Sequence, residues 1–132
     1  MLAAMRGRLT HSTELTYTII GLAMKIHRVL GPGPLENVYH RCLCHELRAA
    51  GIAFEREVPI PITYEVVAID TAYRADIIVS GEVILEIKSV ERLGPLHEAQ
   101  LLTYLRLARC RVGLLLNFNT LSLTDGIRRM VA

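Results

Sequence analysis

What this chain has little of narrows it first. Net charge is only +2 over 132 residues, so no overall field draws it to a polyanion, and a local basic patch would have to do that instead. The basic residues are scattered, with loose groups at Arg6/Arg8, Arg106/Arg109/Arg111 and Arg128/Arg129. No apolar run approaches the roughly 18 residues of a membrane helix. The opening MLAAMRGRLTHSTE also lacks the apolar core of a secretory signal. The expectation is a cytoplasmic protein with no membrane association. Three cysteines, Cys42, Cys44 and Cys110, are odd in number and fall in helix-like segments, which favours reduced thiols over a disulfide framework. Cys42-x-Cys44-His45 is a poor zinc motif, because residues two apart on a helix do not share a face and no second ligand pair exists.

Nucleophiles are also scarce. The serines have no His/Asp partner pattern, and the cysteines lie in apolar surroundings that keep thiols protonated. Gly31-Pro32-Gly33 is too proline-rich to cradle a phosphate with its amides, and no lysine follows it as in a phosphate-binding loop. There is no internal repeat, linker or second domain. Residues 1–132 read as one domain, large enough for a hydrophobic core without staples.

What is there centres on Tyr73 to Val90, YRADIIVSGEVILEIKSV. Two short runs rich in Ile, Val and Leu meet at Ser80-Gly81, which predicts a β-hairpin. Side chains alternate in a strand, so Glu86 and Lys88 share one face while Leu85 and Ile87 take the other. Asp76, on the preceding strand, can reach the same end. Charges in such apolar company are costly unless paired or metal-bound. Two carboxylates suit Mg²⁺, a hard cation that takes one or two and keeps several waters.

Around the hairpin, residues 1–11 read as a frayed leader. A helix is expected from Ser12 or Thr13, with Leu15, Ile19, Leu22, Ile26 and Val29 on its core face and His27 solvated. Gly31-Pro32-Gly33-Pro34 ends it, and a second helix runs from about Leu35 to Ala49 with Glu36 in its first turn, where a carboxylate favours the helix dipole. Ile52 to Glu65 reads as an edge or bent strand because Pro59 and Pro61 remove two ladder donors. Val66 to Ile69 extends it or begins a hairpin turning at Asp70-Thr71. Leu96 to about Ala108 forms a third helix carrying His97, Gln100 and Tyr104 on one stripe, Arg111 to Phe118 a strand covered on both faces, and Gly126 to Ala132 a short tail. The order helix, helix, strands, helix, strand predicts an α/β domain, a mixed sheet of four or five strands with helices on its faces.

Asp76 followed by Glu86-Ile87-Lys88 across a hairpin resembles the PD-(D/E)xK nuclease superfamily, with Ala75 where its name has proline. Gly33-Pro34-Leu35-Glu36-Asn37-Val38-Tyr39 matches G-x-x-E-x-x-Y, the motif of the GxxExxY family within it. Tyr73-Arg74-Ala75-Asp76, the helix His97 to Tyr104, and Gly113 to Phe118 follow in that family's order, from about Leu15 to Val131. Asn119 stands where the family more often has glycine. The resemblance implies a restriction-endonuclease-like core and a Mg²⁺ ion, with Mn²⁺ as a substitute. Asp76, Glu86 and the Ile87 carbonyl would hold the ion, and Glu36 would reach it directly or through water. It further implies that Lys88 positions the attacking water and steadies phosphate charge, while Gln100 and Tyr104 form the Q-x-x-x-Y element of RecB-like nucleases. Physics agrees, since phosphodiester hydrolysis needs a nucleophilic water and relief of developing charge. The expected activity is a Mg²⁺-dependent nuclease acting on nucleic acid, DNA first, with a homodimer or protein partner as a source of substrate choice. The competing expectation is a nuclease-fold protein that binds nucleic acid or a partner without cutting.

Overall fold

The computed structural model describes residues 12–70 and 73–132; the expected leader over residues 1–11 lies outside them. The elements are α1 (Leu2–Leu30), α2 (Glu36–Ala49), β1 (Phe54–Tyr64), β2 (Val67–Val79), β3 (Val83–Lys88), α3 (Pro95–Ala108), β4 (Val112–Asn117), a 3₁₀ turn (Leu123–Gly126) and β5 (Ile127–Val131). The strands form one sheet in the order β1-β2-β3-β4-β5. Only β3 and β4 are parallel, and α3 is the crossover a parallel pair requires. The α/β class and the mixed sheet flanked by helices are as expected.

Alternation along the strands builds two cores. Val83, Leu85 and Ile87 of β3 pack with Leu114 and Leu116 of β4 against α1 and α2, which contribute Leu15, Ile19, Ile26, Tyr39, Leu43 and Leu47. Ile84 and Leu115 point the other way, to Leu101, Tyr104 and Leu105 of α3. β3 therefore has cover on both faces, and every residue from Val83 to Ile87 is buried, Glu86 included. Gly31 ends α1 with φ at +67°, its amide closing on the His27 carbonyl at 2.8 Å and its carbonyl accepting the Tyr39 hydroxyl. That bond and the stacking of Tyr39 on Phe118, 4.2 Å between centroids, fix the start of α2 against the sheet.

Five expectations are corrected. Ser12 and Thr13 are not caps but lie inside α1, where Thr16 donates back to the Thr13 carbonyl at 2.9 Å. His27 is buried, 9% exposed, with Nε2 2.8 Å from the Thr120 carbonyl, because the loop after β4 folds over that turn; Val29, expected in the core, is 77% exposed. The β1–β2 turn is at Glu65-Val66, with Tyr64 paired to Val67 and Glu65 at φ +53°; Asp70 lies within β2, between the paired Ile69 and Tyr73, where the register shifts. The supposed tail is β5, antiparallel to β4. Ile127 and Met130 turn to opposite cores, and the exposed Arg128 and Arg129 mark a protected sheet edge rather than a loop. The bend expected from Pro59 and Pro61 is present as a register shift between Ile60 and Ile62.

Two glycine substitutions test this packing in opposite directions. A Cβ on Gly126 would overlap the Asn117 carbonyl oxygen, which is backbone and cannot yield cheaply. Gly126→Ala should lower unfolding free energy by about 1–3 kcal/mol. Gly21 is exposed on α1 with nothing within 4 Å, so Gly21→Ala should raise it by about 0.5–1 kcal/mol. Urea titration of both variants reads the two signs.

Candidate active site where β2 and β3 part

Antiparallel pairing of β2 with β3 runs through Val79–Val83, Ile78–Ile84 and Ile77–Leu85 and then stops. The next pair in register is Asp76 and Glu86, and there side chains replace the ladder. The Asp76 amide donates to Glu86 Oε1 at 3.2 Å, and the Ile87 amide donates to Asp76 Oδ2 at 2.8 Å. Further along β2, the Arg74 backbone bonds the Tyr104 phenol. Backbone groups freed by the splaying strands are thus satisfied by the acids and the tyrosine of the site, as buried amides require.

On its other edge β2 is distorted at the same level. The β1–β2 ladder pairs Arg56 with Ile77 and Val58 with Ala75 but skips Glu57 opposite Asp76. Glu57 has φ +51°, a left-handed conformation that costs a non-glycine residue about 1–2 kcal/mol. The faces invert across it. Tyr73 and Ala75 pack toward α3, whereas Ile77 and Val79 pack toward α1 and α2; on β1, Val58 and Ile60 face α3 and Phe54 the opposite core. The register is kept, with one residue facing one, so the left-handed turn at Glu57 inverts the faces without an inserted residue, and the inversion falls on Asp76.

Electrostatics follow from burial. Glu86 is 4% exposed. Desolvation first, then the neighbouring Asp76 charge, push its carboxyl up to about 8, against the opposing pull of the Asp76 amide and Lys88. Asp76 is also raised, chiefly by burial, with the Ile87 amide, His40 and Lys88 acting the other way. The Asp76 carboxyl stands close enough to that of Glu86 to raise it. Tyr104, 5% exposed, is raised by burial and then by Glu86 and Asp76, and its ring lies 5.5 Å from that of Tyr73.

Asp76 and Ile87 line a polar cleft of about 220 Å³ whose far wall is the first turn of α2, Glu36, Asn37 and His40, with Glu57 and Arg74 beside them. Glu36 is exposed and its Oε1 accepts the Ser89 amide at 3.1 Å. His40 Nε2 lies 3.1 Å from the Asp76 carbonyl. Lys88 ends β3, half-buried, with its carbonyl accepting the Phe118 amide at 3.0 Å. Of the residues singled out from sequence, Asp76, Glu86, Lys88 and Tyr104 act on one another, and Glu36 and Ile87 share the cleft. Gln100 is exposed on α3. His97 is a cap, with Nδ1 accepting the Gly94 amide at 3.0 Å, so the expected three-residue stripe does not act as a unit.

Among the described residues no three His, Cys, Asp or Glu side chains are gathered at metal-holding separation. The donor set nonetheless fits a hard divalent cation. A buried carboxyl beside a half-buried one, each disfavouring charge on the other, is a pair whose negative charge such a cation would offset.

Sequence reading missed Arg74, His40, Glu57 and Asn117. His40 follows Glu36 by one helical turn and Arg74 precedes Asp76 on an alternating strand, so both had a spacing signal. Glu57 had none, since nothing in Glu55-Arg56-Glu57 announces a left-handed residue.

Two acids and a lysine therefore lie together where antiparallel strands part, in an α/β sandwich. A family model described as the PD-(D/E)XK nuclease superfamily matches residues 13–130, and the chain belongs to that superfamily. No curated protein and no solved structure gives a significant match. Among the described residues, no helix is long and apolar enough to cross a membrane.

The raised Glu86 carboxyl carries a stability consequence. Between its ordinary value of 4.5 and about 8, the folded state keeps a proton that the unfolded chain has released. Folding stability from this group therefore falls as pH rises through that window. Glu86→Gln keeps an oxygen for the Asp76 amide and removes the charge. In chelator, thermal melts should show the variant matching the parent near pH 4.5 and exceeding it increasingly toward pH 8.5.

Proposed function

We propose that this chain is a divalent-metal-dependent nuclease of the GxxExxY type, cleaving phosphodiester bonds of DNA in the cytoplasm. The observation that carries the reading is the reciprocal Asp76–Glu86 arrangement beside Lys88 at the parting of β2 and β3. Asp76, Glu86 and the Ile87 carbonyl would hold Mg²⁺ or Mn²⁺, with Glu36 across the cleft completing the set directly or through water. The bound ion supplies a water of lowered pKa and Lewis-acid relief of phosphate charge.

The chain's own groups do the rest. Lys88, extending from the same face of β3 as Glu86, orients the attacking water and offsets charge on the phosphate. Tyr104 holds the Arg74 backbone and walls Glu86 from solvent, keeping the carboxyl pair in a medium where a cation is bound strongly. Gln100, one turn before Tyr104 on α3 and exposed, faces nucleic acid rather than the acids. Substrate choice would rest with a second copy or a protein partner.

A non-catalytic reading is favoured by one observation, the absence of a preassembled group of three metal-ligating side chains among the described residues. Calorimetric titration of Mg²⁺ and Mn²⁺, followed by incubation with single- and double-stranded DNA and RNA, separates the two. Metal binding with metal-dependent cutting is the expected result. Asp76→Ala and Glu86→Ala should abolish both while leaving the fold intact. Lys88→Ala should keep metal binding and slow cutting by about 10²-fold or more, the scale for losing one charge-stabilising group. Absence of metal binding in the parent would instead leave Asp76, Glu86 and Lys88 as a structural charge cluster.

A further inference from the structure

Arg74 lines the cleft with Glu36, Asn37, His40, Glu57, Asp76 and Ile87, yet the proposed chemistry gives it no task. Its direction is fixed from both sides. Tyr73 and Ala75 pack into the α3 core, so alternation sends Arg74 to the opposite face, toward α2. Its backbone is held by the Tyr104 phenol, and Tyr104 is itself in ring contact with Tyr73. The segment is therefore clamped while the guanidinium stays exposed. Although three carboxylates share the cleft, Arg74 forms no salt bridge among the described residues, where the ion pairs are Lys25–Glu46 and Arg128–Glu98.

An arginine pinned at its backbone, free at its head and placed two residues, or about 7 Å of strand, from Asp76 is suited to a planar anion. Its five N–H donors match a phosphate in a two-pronged contact that lysine does not reproduce. We propose that Arg74 grips the phosphodiester backbone of nucleic acid lying against the α2 wall of the cleft. The inference rests on the nuclease reading and deepens it by assigning the substrate path. Nucleic acid enters between the first turn of α2 and the β1–β2 pair, and Arg74 touches its backbone without reading bases. The acids of the cleft repel a polyanion, so a fixed cation on this wall is what allows it to approach.

The test is fluorescence anisotropy of labelled single- and double-stranded DNA in Ca²⁺, across a salt series, with the parent, Arg74→Ala, Arg74→Lys and Arg129→Ala. Arg129 lies on β5, at the sheet edge opposite β1, and controls for loss of one positive charge. Arg74→Ala should bind about tenfold or more weakly, as for a lost charged hydrogen bond. Its slope of log affinity against log salt should fall by about 0.7–0.9. Arg74→Lys should recover the slope but only part of the affinity, Arg129→Ala should match the parent, and Mg²⁺ affinity should be unchanged in all. Parental affinity and slope in Arg74→Ala would overturn the assignment and leave the nuclease reading standing. A loss of Mg²⁺ affinity or melting temperature equal to the loss of DNA affinity would make Arg74 structural. Should Arg74→Ala fail to fold, the lysine variant decides, because full parental affinity there overturns the two-pronged contact. A parent that binds metal but no nucleic acid would defeat the substrate reading and this assignment together.

Discussion

The binding of the Asp76 amide by Glu86 and of the Ile87 amide by Asp76 is the constraint on which the rest of the site depends. A regular β2–β3 ladder would bury both acids without giving them each other. By parting after Ile77–Leu85, the strands free two amides, and each acid takes one that belongs to the other strand or to its neighbour. The cost of desolvating two carboxyls is met partly by those amides and partly by a retained proton, which is why Glu86 titrates near 8. The covering of β3 on both faces by α1, α2 and α3 is what buries Glu86. The position of Asp76 follows from the inversion at Glu57 on the facing strand. Local strain in β1 is therefore coupled to the aim of a carboxylate on β2, the pattern expected where a fold sacrifices regularity at a site.

The opposite wall of the cleft is set by a second device. Asn117, 2% exposed at the end of β4, accepts the Val90 amide at 3.0 Å and donates to the Val90 carbonyl at 2.9 Å. This gives the chain leaving β3 a ladder-like partner after the strand has ended. Ser89, one residue earlier, donates its amide to Glu36 and its hydroxyl to the Pro34 carbonyl at 3.3 Å. Asn117, Ser89 and Glu36 thus link the ends of β4 and β3 to the first turn of α2. The rigid Gly31-Pro32-Gly33-Pro34 corner and the Tyr39–Phe118 stack hold that turn from the other side. The G-x-x-E-x-x-Y spacing acquires a physical sense here: the tyrosine anchors the helix in the core and the glutamate, one turn earlier, reaches the strand exit.

Much of this was legible because period and punctuation were strong. Val83 to Lys88 is a run of apolar residues broken only by Glu86 and Lys88, Ser80 and Gly81 both adopt positive φ as a tight hairpin turn requires, and Gly-Pro-Gly-Pro has no helical reading. Asp76, Glu86 and Lys88 were found because charges amid β-branched residues stand out. Failures had equally physical sources. β5 was hidden because an edge strand with two consecutive arginines carries little alternation. His27 was misplaced because its partner, the Thr120 carbonyl, lies 93 residues away and is backbone, so composition cannot announce it. The turn at Glu65-Val66 was missed because glutamate in a left-handed conformation has no sequence signature, and the same is true of Glu57. Gln100 matched a motif spacing, yet burial separates it from Tyr104 one turn later.

The balance of charge along the cleft links the fold to its chemistry. Glu36, Glu57 and Asp76 line it, Glu86 lies buried behind Asp76, and net charge over the whole chain is only +2. Such a surface is hostile to nucleic acid at long range, where the field of the whole molecule counts, and the scattered arginines do little to reverse it. At contact range the order of effects changes. Interaction energies grow as water is excluded, and a cation at the carboxyl pair together with Lys88 and Arg74 would present positive charge only within the few ångströms where a phosphate must sit. Charge arranged in that way would favour a seated phosphate over a distant one.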